Sequence, residues 1–94
     1  MTLGFEWDDE KAQRNLKKHK VGFDEAVSVF GDPMAITIPD PAHSEVEDRY
    51  IDIGMSDAGV VLVVVYTERR ESIRIISCRK ATPTERKVYE EGYD

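Results

Sequence analysis

The sequence has little of what marks secreted, disulfide-bonded or membrane proteins. A single cysteine, Cys78, cannot form an internal disulfide and lies in an apolar run without a neighbouring histidine. We therefore expect a small buried side chain in a reducing, cytoplasmic protein. The start of the chain does not resemble a signal peptide. The longest apolar run, residues 60–66, is far shorter than the roughly 20 residues of a membrane span, and we expect no membrane association.

Motifs for nucleotide or metal chemistry are also missing. The sequence contains no P-loop, no G-x-G-x-x-G and no nucleophile elbow. The two histidines, His19 and His43, have no cysteine or carboxylate partner at the spacing of metal ligands. We therefore expect neither a metal nor a cofactor.

The charge of the chain is unevenly distributed. Its 94 residues, 40% of them hydrophobic, suit one domain spanning 1–94. The net charge of −6 argues against nucleic-acid binding through the whole surface. Residues 66–89, however, contain seven Lys or Arg against three Glu, whereas residues 40–58 contain six acidic residues against one Arg. The basic segment can hold an anion locally.

Two short helices are expected in the first third of the chain. Asp8 or Asp9 can cap a helix that runs to about Lys18, with acidic residues early and lysines late, as the helix dipole favours. A second helix is predicted from an apolar stripe at helical spacing. The stripe consists of Phe23, Ala26, Val27 and Phe30.

Four strands are expected next, over residues 34–39, 49–55, 60–67 and 72–80. The third is apolar on both faces and should be central, and its short flanking turns predict an antiparallel meander. In the second strand, alternation places Asp52 on a half-exposed face. In the fourth strand, alternation groups Ile75 with Arg79 on one face and Cys78 with Lys80 on the other.

A last helix has the clearest local signals. Thr82 and Glu85 form a capping box, Pro83 occupies the first helical position, and Gly92 can end the helix. The predicted order is therefore ααββββα, an α+β fold in which helices pack on a four-stranded antiparallel sheet.

Three stretches together resemble the BrnT family, toxins of bacterial type II toxin–antitoxin pairs. They are "FEWDDEKAQRNLKKHKVGFDEAVSVFGDP", "EDRYIDIGMS" and "VVVYTERRESIRIISCRKATPTER". The resemblance covers nearly the whole chain, and its motifs include W-D-x-x-K, Y-T-x-R and R-I-I-S-x-R-K-A. Two departures are Gly22, where a serine helix cap is usual, and Cys78, where alanine is usual.

The resemblance implies a RelE-like ribonuclease fold and RNA cleavage without a metal, which inhibits translation. It also implies neutralisation by a BrnA-like ribbon-helix-helix antitoxin, in a complex that binds operator DNA and represses its own operon. Cleavage by 2′-OH attack on phosphorus requires a proton acceptor, a proton donor and cations. Candidate catalytic residues are Arg79, Arg69, Glu85, Tyr89 and His19, and candidates for binding RNA or phosphate are Lys80, Arg86 and Trp7.

Arg79 is favoured for the phosphate because a guanidinium binds two oxygens at once. Lys80 is adjacent in the strand, so only one of the two can line a given pocket. Arg69, in the preceding turn, could approach the same site across a tight hairpin, and its structural alternative is a plain turn residue. Arg86 and Tyr89, three apart in the last helix, could bind phosphate and stack on a base or donate a proton.

Several candidates have a structural alternative. Glu85 is the natural capping partner at its helix start, Tyr89 can anchor the last helix, and Trp7 can plug the core. His19 can cap a helix end. Two functions of different classes remain open: an endoribonuclease toxin, and a non-catalytic module that binds a DNA-binding antitoxin and modulates repression. The acidity of the chain suits a basic partner.

Overall fold

The computed structural model of the chain describes residues 4–40 and 48–92, and His43 lies outside them. The elements in chain order are β1 (Gly4–Glu6), α1 (Asp9–His19), α2 (Phe23–Val29), β2 (Ile36–Pro39), β3 (Arg49–Met55), β4 (Val61–Arg69), β5 (Ser72–Lys80) and α3 (Pro83–Glu91). All the predicted helices and strands are present, close to their predicted boundaries. Within the described residues, no helix combines the length and apolarity needed to cross a membrane.

The sheet contains a first strand that the sequence pattern does not predict. The strand order is β1-β5-β4-β3-β2, in which β1 runs parallel to β5 and all other neighbours are antiparallel. The predicted order ααββββα and the four-stranded antiparallel sheet are therefore wrong, because the described residues form βααββββα around a mixed five-stranded sheet. β1 has 3 residues, too few to show alternation. The central position predicted for β4 is confirmed.

The main hydrophobic core lies between α1, α2 and one face of the sheet, which we call the helix-pair face. The sheet contributes Leu62, Val64, Tyr66, Ile73, Ile75 and Cys78, and α2 with its preceding turn contributes Val21, Phe23, Ala26 and Val29. Burial of each large side chain stabilises the fold by about 1.5–3 kcal/mol. Trp7 packs against this core, with its ring edge-on to Phe23 at a centroid distance of 5.9 Å.

A bulge in β5 decides which of its side chains share a face. The register between β4 and β5 shifts so that Ile76 has no residue opposite it. Simple alternation is therefore wrong across the bulge. Ile75 and Cys78 both join the core of the helix-pair face, whereas Arg79 turns to the opposite face. Lys80 stays on the same side as Cys78, as predicted.

Asn15 of α1 bonds to the backbone of β5 beyond the end of β1. Its Nδ2 donates to the carbonyl oxygens of Cys78 at 2.8 Å and Val21 at 3.1 Å, and its Oδ1 accepts from the Cys78 N–H at 3.1 Å. The side chain thus replaces a neighbouring strand for Cys78. It satisfies backbone groups that burial would otherwise leave unpaired.

Asp52 lies in the interior, so its predicted half-exposed position is wrong. It is 5% exposed, and its Oδ1 accepts hydrogen bonds from the Thr37 hydroxyl at 2.8 Å and the Tyr66 hydroxyl at 2.9 Å. Burial raises the pKa of Asp52, although the two hydrogen bonds oppose the shift. The two hydroxyl donors are what make a buried carboxyl tolerable here.

The opposite face of the sheet, which we call the α3 face, has a smaller apolar cluster. Ile53, Val61 and Val63 form its buried part, and Tyr89 of α3 packs against them. No residue of α3 itself is buried. The helix therefore covers part of this face from outside and leaves its charged side chains accessible.

The predicted helix caps are confirmed. Asp8 caps α1, since its Oδ1 accepts from the Glu10 and Lys11 N–H groups at 2.9 and 3.1 Å. In α3 the capping box is complete, Pro83 lies in the first turn, and Gly92 ends the helix with φ of 78°. The box also fixes where α3 begins relative to the end of β5.

Candidate active site

Arg79 and Glu85 form a two-pronged ion pair on the α3 face, where β5 ends and α3 begins. Arg79 Nη1 donates to Glu85 Oε1 at 2.7 Å, and Nη2 donates to Oε2 at 2.8 Å. Nη1 also donates to the Lys80 carbonyl oxygen at 3.4 Å. Within the described part of the chain, Arg79 Nε–H has no protein acceptor, and the side chain is 41% exposed. The Nε edge of the guanidinium is therefore available to an anion while Glu85 holds the other end.

Glu85 accepts hydrogen bonds from two partners, Arg79 and the Thr82 N–H. Its Oε1 accepts from the Thr82 N–H at 2.8 Å while it also accepts from Arg79. The hydrogen bond from Arg79, together with that from Thr82, lowers the pKa of Glu85 to about 2. At neutral pH Glu85 is therefore an anion with little tendency to take up a proton. This arrangement suits a residue that positions Arg79.

Tyr89 lies one helical turn after Glu85 and is tied to Asp32. Its hydroxyl donates to Asp32 Oδ2 at 2.6 Å, and this hydrogen bond raises the pKa of Tyr89 to about 12. Burial pushes the pKa of Asp32 upward, but hydrogen bonds from the Met55 N–H, from Tyr89 and from the Met34 N–H lower it overall. Tyr89 thus anchors α3 to the segment that follows α2, as the structural alternative predicts.

Arg69 does not meet Arg79, so the expected convergence across a tight hairpin is wrong. Arg69 lies opposite Ser72 at the start of β5, whereas Arg79 lies opposite Val63 near its other end. Positions 63 and 69 of β4 are six residue steps apart, which corresponds to roughly 20 Å. Both arginines nevertheless belong to the α3 face, because β4 alternates without interruption between them.

Three other candidates lie away from Arg79. Trp7 belongs to the core of the helix-pair face and borders a groove of about 300 Å³ between α1 and α2. His19 ends α1 on that same side of the sheet. Lys80 is exposed and faces the helix-pair side, opposite Leu62. The single pocket that would unite these side chains with Arg79 is therefore not formed. Arg86, next to Glu85 in α3, is exposed.

A row of side chains at the other end of the α3 face was not singled out by the sequence patterns. Arg49 of β3, Thr67 of β4 and Arg74 of β5 lie directly opposite one another across three strands, and we call them the arginine row. Arg74 Nη1 lies 3.7 Å from Glu6 Oε1 on β1, and Arg69 Nη1 lies 4.0 Å from the same oxygen. Only the strand register reveals this row, because its members are 18 and 7 residues apart along the chain.

The α3 face therefore concentrates positive charge in an acidic protein. Four arginines, at positions 49, 69, 74 and 79, lie on it. Glu6 lies beside Arg69 and Arg74, and Glu85 pairs with Arg79. Long-range attraction of a polyanion is weak for a chain of net charge −6. Binding at contact distance is different, because each guanidinium on this face can bind phosphate oxygens directly.

Neither the acidic residues nor the cysteine form a further centre in the described part of the chain. Among residues 4–40 and 48–92, no group of three or more His, Cys, Asp or Glu side chains could hold a metal ion. Cys78 is buried, and desolvation raises its pKa to about 11. This fits the small buried side chain predicted for it, since a protonated thiol is a poor nucleophile.

Two comparisons identify relatives of the chain. Residues 7–85 match the family model described as "Ribonuclease toxin, BrnT, of type II toxin-antitoxin system". The fold is similar to the crystal structure of the Brucella abortus ribonuclease toxin BrnT, with a TM-score of 0.69 and 25% sequence identity. That match covers 86% of this chain and 99% of the Brucella chain. No curated protein sequence gives a match.

The fold and the family model place the chain among the ribonuclease toxins of type II toxin–antitoxin systems. Within that class, the chain belongs to the BrnT family.

Proposed function

We propose that this protein is an endoribonuclease toxin that cleaves RNA without a metal and thereby inhibits translation. Its family carries the proposal, since the model that matches residues 7–85 describes ribonuclease toxins. The arginines on the α3 face support it, because RNA binding depends on cations that contact the phosphate backbone. We further propose that the toxin acts in the cytoplasm.

The proposed reaction is an internal transfer at phosphorus. The 2′-OH attacks the neighbouring phosphorus, its proton passes to a base, and the P–O5′ bond breaks. The O5′ leaving group takes up a proton, and the products are a 2′,3′-cyclic phosphate and a 5′-hydroxyl. The protein must supply cations where charge accumulates on the phosphoryl oxygens.

We assign that cationic role to Arg79. Its Nε edge faces outward from the ion pair with Glu85, so it can bind two phosphoryl oxygens without breaking that pair. Glu85 then acts as a positioning residue, and Tyr89 holds α3 beside the site through Asp32. Arg86, exposed on the same helix, supplies a further contact to RNA.

Replacement of Arg79 tests the assignment. Labelled RNA is incubated with antitoxin-free protein in excess chelator, and cleavage by Arg79→Ala is compared with cleavage by wild type. We expect a loss of about 100-fold, typical of removing one donor to a developing oxyanion. Arg14→Ala is the matched control, because Arg14 is an exposed arginine of α1 on the other side of the sheet. Circular dichroism checks that both variants fold.

Equal cleavage by Arg79→Ala and wild type would remove Arg79 from the reaction. If wild type leaves all RNA intact but binds its antitoxin tightly, the non-catalytic partner module becomes the better description.

We propose a ribbon-helix-helix protein, similar to BrnA, as the antitoxin. Membership of a type II toxin–antitoxin family supports a protein partner. Co-expression and co-purification with the product of the neighbouring gene, followed by a mobility-shift assay with operator DNA, test the identity of the partner and the DNA-binding role of the complex.

A further inference from the structure

The hydroxyl of Thr67 is a buried polar group without a protein partner. Thr67 is 2% exposed, and its Oγ1 is buried with no hydrogen-bond partner in the described part of the chain. A buried hydroxyl normally finds an acceptor or a donor. A buried hydroxyl that lacks such a partner requires a physical explanation.

The two arginines beside Thr67 offer an explanation for its unpaired hydroxyl. Cross-strand pairing places Arg49 on one side of Thr67 and Arg74 on the other, on the same face of the sheet. The Cβ atoms of such directly opposed pairs lie about 4.5–5.5 Å apart. A hydroxyl between two guanidinium groups offers a donor and two cations within the span of one phosphate group.

Glu6 is an acidic neighbour of Arg74, and its contact with that arginine is long. Its Oε1 lies 3.7 Å from Arg74 Nη1, beyond the usual length of a charged hydrogen bond. The same oxygen is 4.0 Å from Arg69 Nη1. The contact is compatible with a guanidinium that turns toward a stronger anion, since exposed ion pairs of this length are weak.

We propose that Arg49, Thr67 and Arg74 form a phosphate subsite that binds the RNA backbone at a distance from the Arg79 site. An entering phosphate draws the two flexible arginine side chains onto its oxygens, and the Thr67 hydroxyl donates to it. This inference rests on the proposed ribonuclease function, because it assigns the same substrate to a second place on the α3 face.

The separation of the two sites predicts which RNA lengths use both. Thr67 and Val63, which lies opposite Arg79, are four residues apart on β4, a distance of roughly 13 Å. Stacked nucleotides advance about 3.4 Å each along the axis of one strand, so the two bound phosphates are not adjacent in the RNA. A trinucleotide occupies one site, whereas a dodecamer can occupy both.

Binding of two RNA lengths to Thr67 variants tests the subsite. The probes are a trinucleotide and a dodecamer of mixed sequence, both 2′-O-methylated so that they cannot be cleaved by 2′-OH attack. For Thr67→Val, which replaces the hydroxyl by a methyl group of similar size, we expect dodecamer affinity to fall roughly 5-fold. We expect trinucleotide affinity to stay unchanged. Thr67→Ser keeps the hydroxyl and should bind the dodecamer as wild type does.

Folding stability separates this role from a structural one. Thr67→Val removes an unpaired buried hydroxyl, so its urea midpoint should equal or exceed that of wild type while its RNA affinity falls. Arg74→Gln should weaken dodecamer binding roughly 5- to 10-fold and reduce the slope of log K against log salt by about 0.7. Arg14→Gln, on the other side of the sheet, is the matched control.

Dodecamer affinity of Thr67→Val equal to that of wild type would overturn the subsite. Equal losses for the trinucleotide and the dodecamer would also overturn it, since the row would then belong to the Arg79 site. The proposed function fails separately, when wild type neither binds nor cleaves RNA, and that result overturns both ideas. Cleavage by wild type together with unchanged dodecamer binding by Thr67→Val overturns the subsite alone.

Discussion

The two faces of the sheet treat their polar groups differently. On the helix-pair face, Asn15 bonds to three backbone groups, and Asp52 accepts from two hydroxyls. On the α3 face, Thr67 has a hydroxyl without a partner among the described residues, and Arg79 keeps one edge of its guanidinium open. Paired buried groups hold the fold together, and the proposed RNA contacts use the polar groups that are left unpaired. The comparison predicts that substitutions on the helix-pair face mainly change stability, whereas substitutions on the α3 face mainly change RNA binding.

The largest expected effect on stability is on the helix-pair face. Asn15→Ala leaves the N–H and the carbonyl oxygen of Cys78 buried without their side-chain partner. We expect a loss of about 3 kcal/mol in the free energy of unfolding, since each unpaired buried group costs about 1–3 kcal/mol. Urea denaturation measures it. Gln13→Ala is the matched control, because it removes a similar amide from an exposed position of α1.

The activity of Asn15→Ala sharpens the comparison. RNA cleavage per folded molecule should match that of wild type, because Asn15 does not contact the α3 face. A stability loss below about 1 kcal/mol would mean that water replaces the amide, and the helix-pair face would then be less tightly sealed than its hydrogen bonds indicate.

A smaller effect is expected at the ion pair of the α3 face. Glu85→Gln keeps an acceptor for the Thr82 N–H, since glutamine also completes a capping box, but it removes the charge that faces Arg79. We expect a loss of about 1 kcal/mol in stability at pH 7, after allowance for solvent screening of a partly exposed pair. RNA cleavage should fall about 10-fold, because Arg79 loses its positioning partner. Glu90→Gln, at an exposed position of α3, is the control.

The pH dependence of this loss has a definite sign. The pKa of Glu85 is lowered from 4.5 to about 2 in the folded protein. Its contribution to stability is therefore present above pH 4.5 and declines as the pH falls toward 2. The stability difference between wild type and Glu85→Gln, measured by urea denaturation from pH 7 to pH 3, should stay constant above about pH 5 and shrink below it. A difference that is independent of pH would show that the charge of Glu85 has no part in the pairing.

The sequence predicts those features that depend on neighbouring residues. The capping box of Thr82 and Glu85, the cap of α1 and the end of α3 at Gly92 are all local signals, and each is confirmed. The unbroken apolar run of β4 indicates burial on both faces, which is why its central position could be predicted. Arg79 and Glu85 are also close along the chain, six positions apart, although no sequence pattern predicted their ion pair.

Features that depend on tertiary pairing could not be predicted in the same way. β1 is a strand only because it pairs with β5, and the bulge at Ile76 has no sequence pattern of its own. Without the bulge, alternation groups Arg79 with Ile75, so the sequence does not show that Arg79 lies on the α3 face. The arginine row depends on the register of three strands. The separation of Arg69 from Arg79 is different, because it follows from the length of β5: the hairpin joins β4 to the start of that strand, and Arg79 lies near its other end.

The smallest expected effect is a gain on the helix-pair face. Gly22 caps α2 without a side-chain hydrogen bond, and its φ of −85° suits any residue. A Cβ there would overlap the Asp24 carboxylate, which must shift to make room, and it can do so because it is the end of a side chain and not backbone. A serine hydroxyl can accept a hydrogen bond from the first turn, so Gly22→Ser should stabilise the fold by about 0.3 kcal/mol.

Gly22→Ala is the matched variant, because it adds the same Cβ without the hydroxyl and should be about 0.5–1 kcal/mol less stable than Gly22→Ser. Urea denaturation of the three proteins measures the order of stability, with wild type between the two variants. Equal stability of the serine and alanine variants would mean that the hydroxyl makes no cap. RNA cleavage should be the same for all three, since Gly22 lies across the sheet from Arg79, and a change in cleavage would contradict the separation of roles between the two faces.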